Sequence, residues 1–258
     1  DVNAQVVATV NEGRIHIVEP DLDQAVAAAV ASGALTAQLT PAPADVFLIA
    51  VSTPFRSGAD GIPLPNINYV LAAARAIAPV LRPGNLVLLE STSPVGTTEQ
   101  VAHVIAEASG LGIEQLHIAY CPERVLPGRI LQELISNDRV IGGLTPNASE
   151  AGQAFYASFC QGELLATTAR TAELVKLTEN SFRDVNIAFA NELSLVCDRL
   201  GINVRELIRL ANHHPRVNVL QPGCGVGGHC IAVDPWFIAA AAPHCTPLIQ
   251  AARHVNDG

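Results

Sequence analysis

The chain contains no methionine and a single lysine, Lys176, against fourteen arginines. A chain that opens on Asp1 and lacks methionine is not read as a complete translation product, and further functional apparatus is expected outside it. Basic residues are too few for a nucleic-acid partner: the formal charge is −9, whereas such a protein normally presents a basic face. Long hydrophobic runs are also missing. The apolar stretch at 46–51 is far too short to span a bilayer, and no signal-peptide pattern opens the chain, so no membrane partner and a cytoplasmic location are expected. The six cysteines show no disulfide-framework spacing, which fits reduced thiols in the same compartment.

What is present is apolar and periodic. At 258 residues and 49% apolar, the chain can bury a large core as one domain or two. Short apolar runs predict strands at 45–51, 85–90, 116–120, 138–142 and 163–167. Helical patterns at 22–31, 67–81, 98–108 and 149–159 lie between them or before them, the signature of an α/β parallel sheet with crossover helices. Pro54, Pro94 and Pro122 each follow a strand closely, so the chain turns at the strand C-termini, the edge where open α/β sheets bind ligands. From Thr171 the strands stop. A long helix follows, ended by Gly201, then a second at 204–212, a glycine-rich loop, and further helix through Trp236 and Phe237 to the end. This divides the chain into a sheet domain, 1–168, and a helical module, 169–258, whose long helix is either a dimer interface or an intramolecular core helix.

Two local patterns carry chemistry. The run Gly223-Cys224-Gly225-Val226-Gly227-Gly228-His229-Cys230-Ile231-Ala232-Val233-Asp234 places a thiol behind glycines and a carboxylate four residues on. Glycines let a backbone approach a ligand closely, and a helix beginning near Cys230 would favour its thiolate; the same run also reads as a turn carrying an ordinary half-buried cysteine. Lys176 and Asn180, four apart, share one helix face from which an ammonium and an amide can both donate to a developing oxyanion; a solvated surface lysine is the alternative. A zinc site from Cys224, Cys230, His229 and His213 or His214 is disfavoured by the adjacent His229-Cys230 pair, and no metal is expected.

Taken together, Ile15-His16-Ile17-Val18-Glu19-Pro20-Asp21-Leu22, Glu90-Ser91-Thr92-Ser93-Pro94-Val95-Gly96-Thr97, Tyr120-Cys121-Pro122-Glu123-Arg124-Val125-Leu126-Pro127-Gly128, the lysine helix through Glu192 and the cysteine loop resemble, in order, the nucleotide-sugar 6-dehydrogenases, the family of UDP-glucose and GDP-mannose dehydrogenases. The resemblance spans nearly the whole chain. It implies a Rossmann-like domain lacking its first strand-helix unit, followed by an all-helical dimerisation and catalytic region, with the family's last domain, which binds the UDP-sugar, absent. The implied reaction is a four-electron, NAD-dependent oxidation of a sugar C6 hydroxyl to a carboxylate, supplying cell-surface polysaccharide synthesis. The implied partners are a UDP-sugar and a second copy of the chain.

Carried over by position, Cys230 matches the family's nucleophile, which forms a thiohemiacetal and then a thioester. Lys176 and Asn180 match the pair that stabilises charge on the C6 oxygen, Asp234 the aspartate that positions or activates water, and Glu123 the glutamate assigned to acid–base work in thioester hydrolysis. Thr92 matches the threonine near the reacting carbon and nicotinamide; Ser52, Thr53 and Pro54 match a cofactor-contacting turn, and Asp1 the acidic residue that binds the adenosine ribose. Substrate contacts are implied for Glu123, Arg124, Val125, Lys176, Asn180 and Gly227, and for Arg216, which resembles an arginine that reaches across the dimer. Cys224 stands where relatives have proline, and His229 where UDP-glucose dehydrogenases have serine. The second departure and the Glu-Arg-Val-Leu-Pro-Gly loop favour an acetamido sugar, UDP-N-acetyl-D-mannosamine first; the same chemistry on UDP-N-acetylglucosamine, UDP-glucose or GDP-mannose is the alternative. Two other readings stand beside this one: a two-electron hydroxy-acid dehydrogenase, which would not need Cys230, and a truncated product that only dimerises.

Overall fold

The computed structural model describes residues 1–15, 17, 19–58, 63–224, 226 and 231–258. In chain order its elements are α1 (Ala4–Asn11), α2 (Leu22–Ala31), β1 (Val46–Ile49), β2 (Phe55–Arg56), β3 (Leu64–Pro65), α3 (Asn68–Ile77), β4 (Leu86–Leu89), α4 (Thr97–Ser109), β5 (His117–Tyr120), α5 (Ile130–Ser136), β6 (Arg139–Gly143), α6 (Pro146–Tyr156), β7 (Leu164–Thr168), α7 (Ala169–Leu200), α8 (Val204–Ala211), α9 (Asp234–Ala241) and α10 (Pro247–Asp257). They form two compact units. One comprises Asp1–Val51, Asn68–Ser91 and Thr98–Ala172; the other Ser52–Ile67, Thr92–Thr97 and Glu173–Gly258.

The first unit is built on a five-stranded sheet in the order β1-β4-β5-β6-β7. All four residues of β4, Leu-Val-Leu-Leu, are buried, as a strand covered on both faces requires. Leu86, Leu88, Ala119, Cys121, Ile141 and Tyr156 form its core cluster. The five predicted strands are all present, but the sheet is mixed rather than parallel: β5 and β6 run antiparallel, pairing Ala119 with Gly143 and Tyr120 with Gly142. The physical reason is the connection. Between β5 and β6 only the seven-residue α5 is regular, too little for the covering crossover a parallel pair needs, whereas α6 returns the chain so that β6 and β7 are parallel. Helix α6 begins three residues before its predicted start because Thr145 caps it, accepting from the Ala148 amide, and Pro146 fits the first turn, where no N–H is needed. Strand β6 lies close against the start of α7: a Cβ on Gly142 would fall 2.4 Å from the Thr168 carbonyl oxygen and 2.7 Å from the Ala172 Cβ.

The second unit centres on the 32-residue α7, which ends at Gly201, where φ is +68° and the left-handed turn suits glycine. Helix α8 is capped by the Asn203 side chain, which accepts from the Arg205 and Glu206 amides. The predicted terminal helix is two helices, α9 and α10, interrupted over 242–246, with Pro243 in the break and Pro247 opening α10, each without an amide donor. Leu177, Val233 and Phe237 form a core cluster with Ile238 packed on it. Polar groups stitch α7 to α10: Arg253 donates to Asp184 Oδ1 at 2.6 Å, and Asn256 Nδ2 donates to the same oxygen at 2.8 Å and to the Asp184 carbonyl at 3.0 Å. Both members of that ion pair are buried; burial raises the Asp184 pKa, opposed by its bonds to Asn256 and Arg253. No helix among the described residues is long and apolar enough to cross a membrane.

Candidate active site

On α7, Glu173, Leu177, Asn180 and Asp184 follow a spacing of three and four and are all buried, so three polar side chains occupy a stripe where a core helix would carry apolar ones. Such a stripe is expensive unless every member has a partner. Asn180 Nδ2 donates to Asp234 Oδ2 at 2.5 Å. Asp234 is the first residue of α9 and is 2% exposed. Burial pushes its carboxyl up to about 6, opposed by the Asn180 hydrogen bond and by the charge of Lys176, which is half-buried one turn before Asn180. A carboxyl that changes protonation near neutrality, with an amide on one oxygen and an ammonium nearby, is equipped for proton transfer and for stabilising developing negative charge.

Glu173 has a second task. Fully buried, it accepts the Gly96 amide at 2.6 Å and so ties the turn after β4 to the helix that carries Lys176 and Asn180. Gly96 has φ +93°, which only glycine adopts without strain. In the same turn the Thr92 carbonyl accepts from Thr53 Oγ1 at 2.7 Å, linking the Ser52, Thr53, Pro54 turn to Thr92. Ser52 and Pro54 are exposed, while Thr53 and Thr92 are half-buried. These short side chains leave backbone open to approach, which fits a dinucleotide lying over the turns. In the other unit, Asp1 is exposed, with Oδ1 accepting the Asn3 amide.

The loop after β5, in the first unit, is held from several sides. Glu123, Arg124 and Val125 are half-buried. Glu123 Oε1 accepts the Arg124 amide at 2.6 Å, and Asn137 Nδ2 donates to the Arg124 carbonyl at 3.0 Å. Glu133 accepts the Leu126 amide at 2.8 Å, while the buried Glu19 accepts the Gly128 and Ile130 amides, both at 2.9 Å. Behind the loop lie Cys121, Tyr156, Glu90 and Arg139. Tyr156 donates to Glu90 Oε1 at 2.6 Å. Burial raises the Glu90, Cys121 and Tyr156 pKa values, Cys121 to about 11, which favours its protonated thiol over the thiolate.

The structure thus brings Lys176, Asn180, Asp234 and the Thr92 turn into one unit, and sets Glu123, Arg124 and Val125 on the loop of the other. Arg216 is exposed, its amide on His214 Nδ1 at 3.3 Å. Gly227 and Cys230 lie outside the described residues, as does His229. Sequence reasoning passed over Glu19 and Glu173. The available signal for Glu173 was a carboxylate three residues before Lys176 on the same helix; no local pattern gave Glu19 its role, because its partners lie more than a hundred residues away.

Comparison with known proteins decides the family. Residues 1–160 match the model of the UDP-glucose/GDP-mannose dehydrogenase family, NAD binding domain, and residues 170–258 match that family's central domain. The chain belongs to this family. It is 61% identical to the UDP-N-acetyl-D-mannosamine dehydrogenase of Yersinia pestis, covering all of this chain and 62% of that protein. It is 59% identical, with the same coverage, to the NDP-N-acetyl-D-galactosaminuronic acid dehydrogenase of Ralstonia nicotianae. Among solved structures, the UDP-D-ManNAc dehydrogenase of Pyrococcus horikoshii superposes with a TM-score of 0.92 at 42% identity, over all of this chain and 61% of that one. The family member described here therefore spans about 62% of the length of the curated relatives it matches.

Proposed function

We propose that the protein carrying this chain is an NAD-dependent nucleotide-sugar 6-dehydrogenase that converts the C6 hydroxyl of UDP-N-acetyl-D-mannosamine to a carboxylate for cell-surface polysaccharide synthesis. The observation that carries this reading is the buried Asn180–Asp234 hydrogen bond one helical turn from the only lysine of the chain. Two molecules of NAD, bound in succession, would each supply the capacity to accept one hydride, the first from the alcohol and the second from the thiol adduct. The chain's own residues do the rest. The Cys230 thiolate adds to the aldehyde carbon, forming a C–S bond, while the oxyanion that develops is met by the Lys176 ammonium and the Asn180 amide. After oxidation the adduct is a thioester. Asp234 positions a water, Glu123 takes its proton, and collapse of the tetrahedral adduct breaks the C–S bond, releases the acid and returns the thiolate.

Residues 1–168 serve as the NAD-binding portion, with Asp1 at the adenosine ribose and Ser52, Thr53, Pro54 and Thr92 along the cofactor. Residues 169–258 serve as the catalytic and dimerisation portion. Arg124, Val125, Gly227 and, from across a dimer, Arg216 contact the substrate. Dimerisation through the central helices is supported by Phe182, Phe189 and Leu195, which are 68%, 52% and 68% exposed on α7. Phe189 also lines, with Leu248 and Val255 of α10, a groove of about 380 Å³. The enzyme is placed in the cytoplasm with its nucleotide-sugar substrate. An acetamido sugar is favoured by His229 and by the names of both relatives, each of which specifies an N-acetylated amino sugar or its uronic acid.

The test is to express the longest open reading frame that contains these residues and count NADH formed per limiting UDP-N-acetyl-D-mannosamine. UDP-N-acetylglucosamine, UDP-glucose and GDP-mannose run in parallel. Two NADH per substrate, lost on Cys230→Ser, is expected. One would mean a simple alcohol dehydrogenase, and none with any sugar would leave a module that only dimerises.

A further inference from the structure

We propose that Arg139 is a positioning residue for Glu123, fixing the direction of its carboxylate from behind the loop that follows β5; this rests on the reading of Glu123 as the acid–base group of thioester hydrolysis. Arg139 opens β6, and its backbone is locked there, its amide donating to the Glu163 carbonyl at 2.8 Å. The side chain is 4% exposed and held by three restraints. Nη2 donates to the Leu134 carbonyl at 3.1 Å, and the guanidinium carbon lies 4.6 Å from the Tyr156 ring centroid and 5.7 Å from that of Phe159. Tyr156 is itself pinned by its hydroxyl on Glu90 and by edge contacts with Phe155 and Phe159. The guanidinium therefore has one orientation, and in it Nη2 comes within 3.5 Å of Glu123 Oε2, while Oε1 is taken by the Arg124 amide.

That distance is informative. At 3.5 Å the contact is at the outer limit of a hydrogen bond, so the cation orients the oxygen without a tight bond to it. The burial is informative too. An arginine this enclosed, with Nε lacking any oxygen partner, is a costly way to fill space, and an apolar side chain of similar volume would do so at less cost. Glu90 after β4, Cys121 after β5 and Tyr156 on α6 are among the titratable groups that interact with Arg139. The charge of Arg139 opposes the repulsion that Glu123 exerts on the Glu90 carboxyl.

The experiment uses the same complete protein with Arg139→Met, Arg139→Lys, Glu123→Gln and the Met–Gln double variant. Turnover is quenched at early times, NADH is followed, and the fraction of enzyme carrying acyl-Cys230 is weighed by mass spectrometry. Arg139→Met is expected to slow hydrolysis by about ten- to a hundredfold, so that acyl-enzyme accumulates while the initial burst of NADH stays within about twofold of wild type. The lysine variant, which keeps the cation without its fork, should recover most of the rate. In the Glu123→Gln background the Met substitution should add less than about twofold. Equal loss of burst and hydrolysis, or the full Arg139 effect persisting without Glu123, would overturn the proposal and leave Arg139 a structural residue. If Arg139→Met fails to fold, Arg139→Gln, which keeps a polar side chain but removes the charge, decides between the same outcomes. Acyl-enzyme accumulating in Glu123→Gln but in neither neutral Arg139 variant removes the inference alone; no accumulation in Glu123→Gln removes the reading of Glu123 and the inference with it.

Discussion

Replacing Asp234 by asparagine is expected to make the protein more stable and inactive at once. The side chain is 2% exposed, and burial raises its pKa from the ordinary 3.8 to about 6, partly opposed by Asn180 and Lys176. The native state therefore binds a proton that the unfolded chain releases between about pH 4 and pH 6. Stability must then fall as pH rises through that window, because the unfolded state binds fewer protons there. A gap of about two pH units, at about 1.4 kcal/mol each, corresponds to about 3 kcal/mol of destabilisation above pH 7. The neutral amide avoids that cost, and its oxygen remains available to accept from Asn180, so the contact need not be lost. Urea denaturation of both proteins at pH 4 and pH 8 measures the effect. The curves should nearly coincide at pH 4, and at pH 8 the Asp234→Asn protein should be more stable by about 1–3 kcal/mol, with thioester hydrolysis lost. A pH-independent difference, or a less stable Asp234→Asn protein at pH 8, would refute the claim that this carboxylate is held at a cost to the fold.

Removing Arg253, whose guanidinium is the buried partner of Asp184, should cost about 3–5 kcal/mol by leaving a buried carboxyl unpaired; thermal melting of Arg253→Ala shows this as a large drop in Tm. Gly142→Ala drives a Cβ to 2.4 Å from the Thr168 carbonyl oxygen, a backbone atom that cannot swing aside, and should lower stability by about 1–3 kcal/mol in the same assay.

The strands were readable because each is a short apolar run, and Gly201 was readable as a helix stop because one residue type serves that left-handed turn. Strand direction was not: hydrophobic periodicity is the same whichever way a strand runs, so the reversal at β6 became visible only with the short α5 connection and its register. The hairpin of β2 and β3, two residues each, is too short to show any period. At the candidate site, Lys176 and Asn180 could be paired from spacing alone because a helix places them together, and Asp234 followed from the resemblance. The buried polar pairs around the site and behind the loop after β5 are long-range. Arg253 meets Asp184 across 69 positions and Tyr156 meets Glu90 across 66, and no local pattern encodes either meeting.

Helix α7 works as a graduated rod. Over its 32 residues, about 48 Å, it fixes in one phase Glu173 against the turn at Gly96, Asn180 against Asp234 and Asp184 against Arg253. Adding or deleting a single residue between Glu173 and Asp184 would turn everything beyond it by about 100° and slide it by about 1.5 Å, parting buried polar groups that have no water to fall back on. Loops in such a protein are free to lengthen over evolutionary time, whereas this segment tolerates exchange of letters but not a change in their count.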